Sequence, residues 1–196
     1  MRARRAGGDE GTTMIELVVA LTVFGAVSAL VTAGVLQAHA AANRTEAVAA
    51  ADTQVETAFR RIDKEIRYAR WIRPPAQTPS SAWVEFLNSD PATGQPRCHR
   101  VVVDRAAGVL RTVAWQPGAT PPAAQSLAGQ LVDGSDPFFT LEATGATDFA
   151  RLRLRLTSRV GRNASAGTVT SDVTFTALNT SRSATPGAEC TEGRPA

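Results

Sequence analysis

The sequence of 196 residues has few of the residue types on which catalytic and metal sites depend. It contains two histidines and two cysteines. No group of His, Cys and carboxylate residues has the spacing of a zinc site, and no glycine-rich phosphate loop follows a strand-like run. His39 has no partner nearby in the sequence, and the adjacent Cys98 and His99 would point to opposite faces of a strand. We therefore expect no catalytic residues, no metal and no cofactor, and hence no enzyme.

The chain also lacks a large excess of positive or negative charge. The chain has 21 basic and 18 acidic residues, a net charge of +3 spread along its length. This balance does not indicate a dedicated nucleic-acid surface. Without a leader and a membrane segment, roughly 120 residues remain, which suffices for one folded domain.

One long run carries no charge at all, from Leu17 to Leu36. Twenty residues form a helix of about 30 Å, the thickness of the hydrocarbon core of a bilayer. Glu16 immediately precedes the run, where a carboxylate costs several kcal/mol unless a positive group pairs with it. An α-amino group created by cleavage after Gly11 would supply that partner, with Thr12 as the new first residue.

The residues around this position resemble the type IV pilin and pseudopilin superfamily. A short basic leader ends in Gly11 and is followed by Thr-Met-Ile-Glu-Leu-Val-Val-Ala-Leu at 13–21. The resemblance implies that prepilin peptidase cleaves after Gly11 and methylates the new amine, although Thr12 stands where the family usually has phenylalanine. It also implies that Glu16 compensates a terminal amine as subunits assemble into a filament.

The basic residues of the leader predict the orientation in the inner membrane. Arg2, Arg4 and Arg5 precede the apolar run, which places the N-terminus in the cytoplasm and the C-terminal domain outside it. Two alternatives are an uncleaved signal anchor and a secretory signal peptide cut after the small-x-small sequence 38–40, which would leave Ala41 first.

A single helix is predicted over 12–73, because the first strong helix breaker is Pro74. It would be membrane-spanning to about 36–42 and amphipathic from Asn43 onward. The apolar positions in the second part recur every three, four or seven residues and should face a core. These positions are Val48, Val55, Phe59, Ile62, Ile66 and Ala69.

The remainder is predicted to form a mostly antiparallel sheet over 74–180, packed on the C-terminal half of the helix. In Phe149–Thr157 leucines alternate with arginines, as in a strand with one buried and one solvated face. The fold class is therefore α+β, with a leader at 1–11 and a polar tail at 181–196. Further strands are predicted at 83–87, 97–103, 109–115, 130–132, 138–142 and 172–178.

Cys98 and Cys190 predict a single disulfide in an oxidising compartment, with two separate buried thiols as the alternative. It would pin the polar tail and contribute roughly 4 to 5 kcal/mol by closing a loop of about ninety residues.

A row of arginines, Arg151, Arg153 and Arg155, is the feature best able to contact an anion such as DNA. We expect instead a solvated strand face or a contact with a neighbouring subunit.

The function predicted from these features is a minor pilin or pseudopilin, a structural subunit of a type IV pilus-like or type II secretion filament. The segment 61–69 is similar to the J-type minor pseudopilin of type II secretion. Expected partners are other pilin or pseudopilin subunits, prepilin peptidase and the inner membrane. The alternative is a signal-anchored extracytoplasmic binding module that contacts DNA through the arginine row.

Overall fold

The computed structural model describes residues 13–134, 137–142, 149–160, 167–180, 187 and 189–194. The chain divides into two compact units, Met1–Thr45 and Glu46–Ala196. The helix and strands of the described residues are α1 (Met14–Ile66), β1 (Trp71–Ile72), β2 (Ala76–Gln77), β3 (Ser81–Ser89), β4 (Pro96–Asp104), β5 (Val109–Trp115), β6 (Gln125–Ala128), β7 (Leu131–Val132), β8 (Phe139–Glu142), β9 (Ala150–Val160) and β10 (Gly167–Ala177).

The first unit consists, in its described part, of the N-terminal portion of α1. The helix begins where the Thr13 carbonyl accepts the N–H groups of Glu16 at 2.9 Å and Leu17 at 3.2 Å. No residue in the most apolar stretch of α1 is buried against other described residues. The helix is long and apolar enough to cross a membrane. A wholly apolar, uncovered helix surface is typical of contact with lipid or with other helices.

The second half of α1 carries the predicted buried stripe. Val55, Ala58, Ile62 and Ile66 are at most 4% exposed. Their spacing of three and four residues places them on one face of the helix, which confirms the prediction for Val55, Ile62 and Ile66. The predicted positions Val48 and Phe59 are only half-buried, and Ala69 is buried beyond the end of the helix. The opposite face carries ion pairs such as Arg60 with Glu56, which add a few tenths of a kcal/mol.

The prediction that the helix extends to Arg73 is wrong, because α1 ends at Ile66, seven residues earlier. Trp71 and Ile72 form β1 and pair with β3. The Arg73 N–H also donates to the Glu85 carbonyl at 2.8 Å. The strand pairing buries both Trp71 and Ile72, and this burial outweighs continued helix formation.

The strands form two antiparallel sheets. Sheet 1 has the order β1-β3-β4-β5-β6, with β2 also pairing with β3. Sheet 2 has the order β10-β9-β7, with β8 also pairing with β9. The chain passes from β6 to β7 at Gln130, whose φ of 58° marks a tight change of direction. The α+β class is thus confirmed, with the predicted sheet divided in two.

A single core joins the end of α1 to both sheets. Leu152, Leu154 and Leu156 of β9 are completely buried, whereas Arg151 and Arg153 lie on the opposite, exposed face. The predicted alternation is therefore confirmed. Each fully buried leucine contributes about 1.5 to 3 kcal/mol relative to an exposed one.

The predicted hairpin between β4 and β5 is also present. Gly108 closes it with a φ of 61°, and a Cβ at this position would lie 2.6 Å from the Leu131 carbonyl oxygen. Only glycine fits this turn without strain. Strands β1, β2 and β6 were not predicted from the sequence. Strand β10 begins at Gly167, five residues before its predicted start at Asp172.

Candidate functional site

Glu16 lies in the first turn of α1, and the proposed cleavage residues Gly11 and Thr12 lie outside the described residues. A carboxylate is favoured near the unpaired N–H groups of a helix N-terminus. Its neighbours Met14, Ile15 and Leu17 are apolar and between 55% and 86% exposed. Among the described residues no basic side chain pairs with Glu16. The Glu16 carboxylate can therefore form an ion pair with a positive group that lies outside the described residues.

The arginine row lies on the exposed face of sheet 2 and is partly neutralised there. Arg153 donates to both carboxylate oxygens of Asp172, at 2.9 and 2.5 Å. Arg155 approaches the same carboxylate at 3.7 Å. The hydrogen bond from Arg153, with the charges of both arginines, holds the pKa of Asp172 below its usual value. The row therefore presents less positive charge than its sequence indicates.

His99 has partners that the sequence did not reveal. Its Nδ1 lies 3.2 Å from a Glu65 carboxylate oxygen, and its ring stacks on Phe86 at 5.1 Å. Glu65 lies on α1 and is distant in sequence, so residue spacing could not identify this pair. As predicted, Cys98 lies on the opposite face of β4, where it forms a disulfide.

The predicted disulfide is present and anchors the C-terminal segment 189–194 to sheet 1. Cys98 and Cys190 are joined with their Cα atoms 5.3 Å apart. On what we call the outer face of sheet 1, the face away from the α1 core, Cys98 stands in one cross-strand row with Trp71, Leu87 and Trp115. Cys190 packs into this second apolar cluster.

Beside the disulfide lies a buried carboxylate surrounded by arginines. The side chain of Glu85 is 1% exposed and accepts Arg100 at 2.7 and 3.0 Å. Arg194, from the C-terminal segment, donates to the two oxygens of Glu85 at 3.1 and 2.6 Å. Arg73 Nε lies 3.3 Å from the same carboxylate. A buried charge of this kind requires such partners.

The backbone of the C-terminal segment completes this cluster. Arg100 donates to the carbonyls of Glu192 at 2.7 Å and Gly193 at 2.6 Å. The Glu192 carboxylate in turn accepts the Trp115 indole N–H at 3.0 Å and the Gly118 N–H at 2.8 Å. Burial raises the pKa of Glu192, but the hydrogen bonds from its own backbone N–H, from Trp115 and from Gly118, with the Arg100 charge, outweigh burial and leave the pKa below the usual value. The C-terminal segment 189–194 is therefore fixed to sheet 1 by these hydrogen bonds as well as by the disulfide.

The burial of Glu85 was not predicted from the sequence, because single charges within strands usually face solvent. The only available signal was its place in Trp83–Leu87, where apolar residues occupy both faces of the strand. A charge within such a run is expected to be buried and paired.

An open groove of about 820 Å³ lies between the end of α1 and the core face of sheet 1. Its lining includes Tyr68, the Glu65–His99 pair, and Arg97, which pairs with Asp90 at 3.1 Å. Arg61, which also lines the groove, lies 3.8 Å from the Glu65 carboxylate, and Lys64 adds a further basic side chain.

Comparisons with protein-family models, with curated proteins and with solved structures find no match to this chain. The layout of a long N-terminal apolar helix followed by antiparallel sheets is loosely compatible with a pilin-like fold.

Proposed function

We propose that this protein is a structural subunit of a type IV pilus-like or type II secretion filament, a minor pilin or pseudopilin. The observation that carries the proposal is the position of Glu16 in the first turn of an uncovered apolar helix. The sequence around it resembles the pilin processing site.

In the proposed role, cleavage after Gly11 exposes the amine of Thr12, and Glu16 of one subunit accepts the amine of the next. In an apolar setting this pairing offsets the several kcal/mol that an isolated carboxylate would cost. The apolar surface of α1 packs against neighbouring helices, with Gly25 and Gly34 allowing close approach. The arginine leader places the sheet domain outside the cytoplasm.

Among the subclasses, we propose the J-type minor pseudopilin of type II secretion, from the similarity of segment 61–69. The disulfide between Cys98 and Cys190 supports an extracytoplasmic location for the sheets, since disulfides persist in oxidising compartments. A DNA-binding role has less support, because Asp172 neutralises part of the arginine row.

The test is to substitute Glu16 in the full chain co-expressed with its assembly machinery. Glu16→Ala should still insert and be cleaved, because neither step uses the carboxylate, but should no longer enter filaments. Glu16→Asp, which retains the charge, is the matched control and should retain partial incorporation. Normal incorporation of Glu16→Ala would remove the role assigned to this residue.

A further inference from the structure

The groove between the end of α1 and sheet 1 has unpartnered polar groups on its floor. Asn88 Oδ1 and Thr112 Oγ1 have no hydrogen-bond partner among the described residues. Both residues line the groove, and they are 7% and 4% exposed. Buried polar atoms are normally hydrogen-bonded, and each exception calls for an explanation such as a bound molecule or a functional role. The floor therefore has the character of a binding site.

His99 adds a hydrogen-bond acceptor to the same floor. The residue is 8% exposed, and its Nδ1 lies 3.2 Å from the Glu65 carboxylate. Because the carboxylate accepts the Nδ1 hydrogen, Nε2 of the neutral ring is an acceptor. Nε2 has no partner among the residues that the structure describes. A ligand that fits this floor should therefore donate hydrogen bonds, as hydroxyl and amide groups do.

The side chains around the groove argue against two other classes of ligand. None of the described residues that line it is leucine, isoleucine, methionine or phenylalanine, so it is a poor match for the apolar face of a helix. Three basic and two acidic side chains line it. Arg61 lies 3.8 Å from Glu65, and Arg97 lies 3.1 Å from Asp90. A polyanion such as a nucleic acid requires a larger excess of positive charge.

Two exposed side chains on the α1 side indicate which ligand fits. Lys64 lies in the last turn of α1 and has no ion-pair partner among the described residues. Its ammonium group is suited to bind a carboxylate. Tyr68 is 61% exposed, so its ring presents an apolar face with a hydroxyl at its edge. A flat ring that carries hydroxyl groups and a carboxylate would contact both side chains.

We propose that this groove binds a saccharide that carries a carboxylate. Hydroxyl or N-acetyl groups of the sugar donate to His99 Nε2, Tyr68 packs on the sugar ring, and Lys64 pairs with the carboxylate. The volume of about 820 Å³ is within the range of small-ligand sites. The groove is remote in sequence from Glu16, and the proposal does not depend on the filament function.

The experiment titrates the full chain in detergent with a hyaluronan tetrasaccharide, in which glucuronate alternates with N-acetylglucosamine. Chitotetraose, which consists of N-acetylglucosamine alone, is the matched neutral ligand. By calorimetry the hyaluronan tetrasaccharide should bind roughly fivefold more tightly, as expected for an exposed ion pair with Lys64. A blocked tripeptide with one glutamate between two alanines has the carboxylate without the sugar, and should bind roughly tenfold more weakly or less well still.

Two variants test the assigned contacts, and both change exposed side chains, so the fold should be retained. Lys64→Gln should remove the preference for the acidic saccharide and leave chitotetraose binding unchanged. Tyr68→Ala should weaken the binding of both saccharides by roughly fivefold. Arg60→Gln removes a basic charge one turn earlier on α1, outside the groove lining, and should bind like wild type.

Four results would each overturn the proposal. They are no binding of the hyaluronan tetrasaccharide, equal affinity for chitotetraose, equal affinity for the tripeptide, and an unchanged preference in Lys64→Gln.

Discussion

Replacing Glu85 by glutamine should destabilise the sheet domain strongly. Glu85 and Arg100 are 1% and 3% exposed in their side chains, and Arg73 and Arg194 reach the same carboxylate. Glutamine keeps the shape but removes the charge, which leaves the buried Arg100 guanidinium without its counter-ion. Loss of one partner of a buried ion pair costs about 3 to 5 kcal/mol.

For a domain of this size that loss corresponds to a decrease in Tm of roughly 6 to 20 °C. The assay is thermal unfolding of the full chain in mild detergent, followed by tryptophan fluorescence, since Trp71 and Trp115 lie beside the cluster. Asp172→Asn is the matched control, because it breaks an ion pair whose partners are 31% and 47% exposed. Such exposed pairs contribute at most about 1 kcal/mol. Equal decreases in Tm for the two variants, or none for Glu85→Gln, would refute the argument from burial.

Two further predictions concern the C-terminal segment. Replacing Cys98 and Cys190 together by serine should lower the free energy of unfolding by about 4 to 5 kcal/mol, as expected for a loop of 92 residues; chemical denaturation measures this, and an unchanged midpoint would contradict it. The pKa of Glu192 is lowered from 4.5 on folding, so its stabilisation is fully present above about pH 5 and is lost as the pH falls through the folded pKa. Glu192→Gln should therefore flatten the acid side of the stability profile, and a profile parallel to wild type would exclude this contribution.

The sequence predicted those parts of the fold that depend on local pattern. The spacing of Val55, Ile62 and Ile66 identified the buried face of α1, and the leucine–arginine alternation identified β9. Both patterns repeat over several residues and match a single periodicity, so neighbouring residues suffice to predict the structure.

The missed features depend on contacts between distant residues. Nothing local to Trp71 and Ile72 indicates a strand, because β1 forms only by pairing with β3. The partners of Glu85 likewise come from three separate segments of the chain, represented by Arg73, Arg100 and Arg194. Spacing along the sequence carries no information about such a cluster. The division into two sheets follows from the turn at Gln130, which is not a residue type typical of positive φ.

The most direct test of the central claim is the N-terminal sequence of the mature chain after expression with prepilin peptidase. We propose that Glu16 is tolerated at the start of an apolar helix because processing supplies an amine for it to bind. We therefore predict a mature chain that begins at Thr12, both by sequencing and by intact mass. A chain that retains residues 1–11, or one that begins at Ala41 and has lost the apolar helix, would contradict it.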